Sequence, residues 1–102
     1  MNVFISQPMR GRSLEELREE RKGVMDYLRK LYPNETVVEL NSLFTADIQS
    51  KNEPLRLLGM SIEMLAEADV AVFANYWSVS RGCQIENTCA QKYGIPIVDL
   101  GD

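Results

Sequence analysis

The stretch DVAVFAN, residues 69–75, decides the fold of this chain. Its unbroken apolar run predicts a strand that is buried on both faces, as in a parallel sheet covered by helices on either side. Three other apolar runs predict further strands: NVFIS at 2–6, TVVEL at 36–40 and IPIVDL at 95–100. We therefore expect a sheet of four strands.

Helical segments separate these strands. Ser13 is a suitable N-cap for the first helix, which ends before Pro33, and Pro54 suits the first turn of the second. The segment 82–93 predicts the third helix. The apolar stripes expected to be buried are Leu14, Leu17, Val24, Met25, Leu28 and Leu31 on the first helix, and Leu58, Ile62, Leu65 and Ala66 on the second. The charged run LREERK at 17–22 is interpreted as a solvated helix face.

The alternation of strands and helices predicts a single α/β domain spanning 1–102, a three-layer sandwich with a parallel sheet. Right-handed crossovers in a doubly wound arrangement favour the strand order 2-1-3-4. In such a sheet, ligands bind beyond the carboxyl ends of the strands where the strand order reverses. That point lies between the first and third strands.

The composition excludes several classes of function. The formal net charge of −4 argues against a nucleic-acid polymer or an anionic membrane as the partner. The chain has no histidine, which excludes histidine triads and histidine ligands to a metal. No metal is therefore expected. Cys83 and Cys89 fall on different faces of one helix and cannot pair. With no signal peptide or membrane-spanning stretch in the sequence, a cytoplasmic location is expected.

The loop SQPMRGRS, residues 6–13, follows the first strand and leads into a helix N-terminus. Helix N-termini favour anions, so Arg10 or Arg12 could bind a phosphate or a carboxylate. The alternative is a tight turn with arginines on the surface.

The loop NYWSVSRG, residues 75–82, follows the third strand. Ser80, with the amides of Arg81 and Gly82, would suit a phosphate, or Ser80 could simply be an N-cap. Trp77 is a candidate for stacking on a base or sugar, with core packing as the alternative. Glu86 follows in the second turn of the helix and is either a reactive carboxylate facing the first loop or a solvated residue.

Three stretches in the right order, ISQPMRG, EADVAVFANYW and SRGCQIENTCAQKYGIPI, resemble the nucleoside 2-deoxyribosyltransferase-like superfamily. The closest similarity is to its short members of phage and prophage type, related to 2′-deoxynucleoside 5′-phosphate N-glycosidases. The most specific part is S-x-G-x-x-x-E, here Ser80, Gly82 and Glu86. The resemblance implies a flavodoxin-like fold.

The resemblance also implies a reaction. Glu86 would attack C1′ of a 2′-deoxynucleoside or its 5′-monophosphate and form a covalent deoxyribosyl intermediate, which a second base or water then resolves. Ser80 would bind the 5′-phosphate, with Arg81 and Gly82 alongside. No cofactor is implied. The first loop would border the sugar and phosphate through Ser6, Pro8, Met9, Arg10 and Gly11.

The sequence departs from the family pattern at some positions. Phe4 replaces a frequent tyrosine, and Gln7 a frequent glycine. Ser61 stands where an aspartate usually assists departure of the base, and Asp47 is a candidate substitute. In many family members a neighbouring subunit completes the pocket with a polar residue beyond the fourth strand. That element is expected to be missing here or to be supplied differently, and a homo-oligomer is expected. The alternative function is a non-catalytic module that senses or sequesters a nucleotide.

Overall fold

The chain folds into alternating strands and helices, described for residues 1–44 and 49–101 in a computed structural model. The elements are β1 (Asn2–Ser6), α1 (Leu14–Leu31), β2 (Val38–Glu39), α2 (Glu53–Leu65), β3 (Val70–Phe73), a 3-10 turn (Trp77–Val79), α3 (Arg81–Lys92) and β4 (Ile97–Asp99). This order confirms the predicted alternation. No helix in the described ranges has the length and apolar character needed to cross a membrane.

The four strands form one parallel sheet in the order β2-β1-β3-β4, which confirms the predicted α/β sandwich. β1 and β3 lie side by side, with Val3 opposite Val70 and Ser6 opposite Phe73. The carboxyl ends of these two strands are therefore adjacent. The loops that follow them, 7–13 and 74–80, begin at the same edge of the sheet.

Helices cover both faces of the sheet. On one face, α1 contributes Val24, Met25 and Leu28 to a cluster with Val3, Ile5, Val70 and Val72. On the other face, Leu65 of α2 and Ala90 of α3 pack with Phe4, Ala71 and Phe73. All of β3 is buried, as the apolar run at 69–75 predicts. Because side chains alternate along a strand, Ser6 lies on the same face as Phe4, towards α2 and α3.

Residues suited to capping stand at the N-termini of the three helices. Ser13 caps α1, and both hydrogen bonds of a capping box with Glu16 are present. Asn52 caps α2, with Pro54 in its first turn. Ser80 is the N-cap of α3, although its side chain makes no capping hydrogen bond.

Four burial predictions on the helices are wrong. Leu14 and Leu31 are 39% and 45% exposed, and Ala66 is exposed at the C-cap of α2. The 18 residues of α1 extend about 27 Å, whereas the 5 residues of β1 extend only about 17 Å, so both ends of α1 overhang the sheet. Conversely Arg21, assigned to a solvated face, is only 3% exposed.

Candidate functional site

Glu86 lies in the second turn of α3 and is buried, with 7% of its surface exposed. The hydroxyl of Ser6, the last residue of β1, donates a hydrogen bond to its Oε1 at 2.7 Å. The carboxylate therefore sits at the edge of the sheet where β1 and β3 end. The interpretation of Glu86 as a solvated residue is therefore wrong, and its reactivity stays a prediction.

Hydroxyl and thiol groups surround this carboxylate. Ser61, on α2, is buried and helps to stabilise the ionised form of Glu86. Cys83, one turn before Glu86 on α3, is also buried and lies beside the hydroxyls of Ser6 and Ser80. The fold thus brings together three predicted site residues from β1, α2 and α3, together with one cysteine that was not predicted.

Burial governs the electrostatics of this cluster. It raises the pKa of Glu86, because the charged form loses hydration, while the hydroxyls of Ser6 and Ser61 and the charge of Arg21 act in the opposite direction. Burial likewise raises the pKa of the Cys83 thiol, and the nearby Glu86 adds to that effect. Cys83 is accordingly a neutral thiol near pH 7. A buried carboxyl with a raised pKa, held by specific donors, is typical of a functional site.

Arg21 is a buried cation behind this site. Its Nε donates to Oε1 of Gln7, and its Nη1 donates to the Ser42 hydroxyl at 3.1 Å. Its Nη2 donates to the carbonyl oxygen of Ile5 at 3.4 Å, and its Nη1 lies 3.4 Å from the Glu39 carboxylate. Burial lowers the pKa of Arg21 and Glu39 opposes this, but a guanidinium stays charged at neutral pH.

The first loop is fixed to α1 by polar contacts. The side chain of Gln7 donates to Glu20 at 2.8 Å, and Arg12 donates both to Glu20 at 2.8 Å and to the Pro8 carbonyl at 2.9 Å. Gly11 has a φ of +75°, which a glycine adopts without strain. Arg12 therefore holds the turn together, so of the two arginines suggested as anion ligands it is Arg10 that remains exposed, as does Met9.

The second loop and the first turn of α3 hold the other predicted site residues. The Trp77 ring packs against Phe73 with a centroid distance of 5.4 Å, and its Nε1 donates to Asp99 at 2.8 Å. These contacts favour a packing role for the half-buried indole over stacking on a ligand. Arg81 is exposed in the first turn of α3, next to the half-buried Gly82. Asp47 lies outside the described residues.

Two surface grooves are present in the described structure. One lies along α1 and the chain that follows β2, and the other lies along α2; neither is lined by Glu86. No group of three or more His, Cys, Asp or Glu side chains within 1–44 and 49–101 could hold a metal ion.

Sequence reasoning missed Arg21, Gln7 and Cys83 as components of the site. Arg21 carries a signal, since it lies four residues after Leu17 and three before Val24 on the buried stripe of α1. Cys83 is three residues before Glu86, so a helix places both on one face. Gln7 offers no such signal, because it lies in a loop and no helical spacing relates it to its partners on α1.

These features define a small parallel α/β protein with a buried carboxylate at the point where its strand order reverses. The chain belongs to the family described as Domain of unknown function (DUF4406), whose model matches residues 1–99. No curated protein and no solved structure matched the chain.

Proposed function

We propose that this protein cleaves the N-glycosidic bond of 2′-deoxynucleosides or their 5′-monophosphates, as a member of the nucleoside 2-deoxyribosyltransferase-like superfamily. The observation that carries the proposal is the buried Glu86, hydrogen-bonded to Ser6 at the carboxyl ends of β1 and β3. Open parallel sheets bind their ligands at this place. The resemblance of the motif around Glu86 supplies the reaction type.

In the proposed reaction, one carboxylate oxygen of Glu86 forms a bond to C1′ while the bond from C1′ to the base nitrogen breaks. The electron pair of that bond leaves with the base, which takes a proton from solvent. Water or a second base then attacks C1′ and releases the carboxylate, as in retaining glycosidases. Ser6 donates to Oε1, which leaves acceptor and nucleophilic capacity on the second oxygen.

Ser80 is the proposed partner of a 5′-phosphate. Its hydroxyl makes no capping hydrogen bond to α3 and lies beside the Cys83 thiol, so it could donate to a ligand without loss of a helix cap. The first backbone N–H groups of a helix have no partner within the helix and attract anions. Arg81, exposed in that first turn, would add positive charge.

A second candidate function is a nucleotide-binding module without catalysis. One observation favours it. The residue at the position expected to assist departure of the base is the neutral Ser61, whose hydroxyl is a poor acid.

The two functions are separated by incubating the protein with each 2′-deoxynucleoside and each 5′-monophosphate, with and without an acceptor base. Free base is measured by chromatography. The enzymatic proposal predicts turnover that is lost in Glu86→Gln and retained in Glu63→Gln, a matched change on the exposed side of α2. Ser80→Ala should reduce the preference for monophosphates over nucleosides.

No turnover with any substrate, combined with a rise in melting temperature on adding a deoxynucleotide, would establish the binding module instead. Equal turnover by wild type and Glu86→Gln would remove the role of Glu86. The homo-oligomer and the cytoplasmic location stay predictions, and light scattering would test the first of them.

A further inference from the structure

A groove of about 370 Å³ runs between α1 and the chain around the end of β2, away from Glu86. Four cationic side chains line it: Arg18, Arg21, Lys22 and Arg29. The opposite wall carries Glu39 and Asn41. The groove is therefore strongly positive in a chain whose formal net charge is −4.

The periodicity of α1 produces this concentration of charge. Lys22 and Arg29 lie four and eleven residues after Arg18, spacings that place all three on one face of a helix. Together they span about 16 Å of helix at 1.5 Å per residue.

Two of these four positive charges have an acidic partner within the protein. Within the ranges 1–44 and 49–101, neither Arg18 nor Lys22 takes part in an ion pair. Arg29 lies 3.4 Å from Asp26, but both side chains are more than half exposed, so this pair is weak. The buried Arg21 is held mostly by neutral acceptors, with the Glu39 carboxylate 3.4 Å away.

We propose that this groove is a binding site for a small oligophosphate, an anion with two or more linked phosphate groups. Guanidinium and ammonium groups are the side chains that recognise phosphate oxygens. The volume lies within the range of small-molecule sites, about 300–1,000 Å³. The cations are spread over a longer distance than one phosphate group can contact, which favours several linked phosphates. The proposal is independent of the glycosidic reaction.

Inorganic tripolyphosphate is the probe for this site, measured by isothermal titration calorimetry on the whole chain at 0.15 M salt, on the order of physiological ionic strength. The test variant is Arg18→Gln with Lys22→Gln, and the control is Lys51→Gln with Arg56→Gln near the start of α2. All four side chains are exposed, so folding should be preserved. We expect the test variant to lose at least about tenfold in affinity, which equals about 1.4 kcal/mol, while the control binds like wild type.

Three outcomes of the titration with tripolyphosphate would overturn the proposal. They are undetectable binding to wild type, equal binding by the test variant and wild type, and an equal loss of affinity in both variants, which would show a response to net charge alone. A single-stranded oligodeoxynucleotide is titrated in parallel. If it binds through the same residues more tightly than tripolyphosphate, the groove is a surface for a polymer and the small-ligand proposal is wrong.

Discussion

The burial of Glu86 makes the free energy of unfolding depend on pH. Burial raises its pKa above the ordinary value, which for a glutamate is about 4.3. The folded state therefore retains the proton to a higher pH than the unfolded state does. Its contribution to stability is fully present below the unfolded pKa and is lost as the pH rises through the folded pKa. At neutral pH the buried charge lowers the free energy of unfolding.

Replacing Glu86 with glutamine should consequently stabilise the protein at pH 7. The amide keeps an oxygen that can accept from Ser6 but carries no charge to desolvate. The free energy of unfolding of Glu86→Gln at pH 7 should therefore exceed that of wild type. Urea denaturation at several pH values measures it, with Glu63→Gln as the exposed control.

The gain should shrink as the pH falls towards and below the ordinary glutamate pKa, where the wild-type carboxyl is also neutral in both states. A loss of stability in Glu86→Gln at pH 7 would show that the ionised carboxylate is a net stabilising group, and the argument from burial would be wrong.

Ser6 provides a second test at the same group. Its hydroxyl favours the ionised form of Glu86, so Ser6→Ala should raise the pKa of Glu86 further. The chemical shift of the side-chain carboxyl carbon, followed by NMR against pH, reports this directly and requires no substrate. Ser78→Ala, at an exposed position in the 3-10 turn, is the control. An unchanged titration in Ser6→Ala would mean that the hydrogen bond contributes nothing to the ionisation of Glu86.

The sequence places Glu86 near the first loop but does not reveal its donor. The strand order and the second turn of α3 follow from local patterns, and together they bring Glu86 to the carboxyl ends of the strands. The Ser6 contact joins residues that are 80 positions apart. Such a contact depends on how α3 packs against β1, and a single sequence carries no signal for that packing.

At the scale of elements, two exposed glycines allow a matched test of helix interiors and helix ends. Gly94 follows α3 with a φ of +71°, in the left-handed region that favours glycine. Gly23 lies inside α1, where an added Cβ would meet no atom within 4 Å. We therefore expect opposite signs for the same substitution.

Gly23→Ala should stabilise the protein by about 0.5–1 kcal/mol through higher helix propensity, whereas Gly94→Ala should destabilise it by about 1 kcal/mol. Thermal and urea denaturation measure both. If the two variants change stability in the same direction, backbone conformation at these positions does not determine the effect.

The elements were predicted best where their signals are local. β1 and the start of α1 at its Ser13 cap agree with the sequence reading, since strand composition and capping need only neighbouring residues. β2 is Val38–Glu39 where 36–40 was predicted, and β4 is Ile97–Asp99 where 95–100 was predicted. Each is an edge strand, and only the residues that pair with its single partner count as strand, two in β2 and three in β4.

At the scale of the whole molecule, Arg21 connects parts of the chain that are far apart in sequence. Through Gln7 and the Ile5 carbonyl it holds β1 and the first loop, and through Ser42 it holds the chain after β2. A charged residue in a run such as LREERK is ordinarily solvated. The spacing of Arg21 from Leu17 and Val24 places it on the buried stripe of α1, but no local pattern shows that acceptors from three segments meet there.

Arg21→Gln should therefore affect stability and the site together. The shorter neutral side chain cannot reach all the acceptors of the guanidinium, and buried groups without partners cost about 1–3 kcal/mol each. We expect a loss of about 2 kcal/mol or more in urea denaturation. The loss of positive charge should also raise the pKa of Glu86 in the NMR titration. Arg18→Gln, one turn earlier and exposed, should change stability by less than about 0.5 kcal/mol.

If Arg21→Gln lowers stability but leaves the Glu86 titration as in wild type, Arg21 supports only the packing of α1 against the sheet. If both quantities change while Arg18→Gln alters neither, the same buried cation stabilises the fold and keeps the carboxylate closer to its ordinary ionisation. The proposed role of Glu86 as a nucleophile requires such an ionised carboxylate.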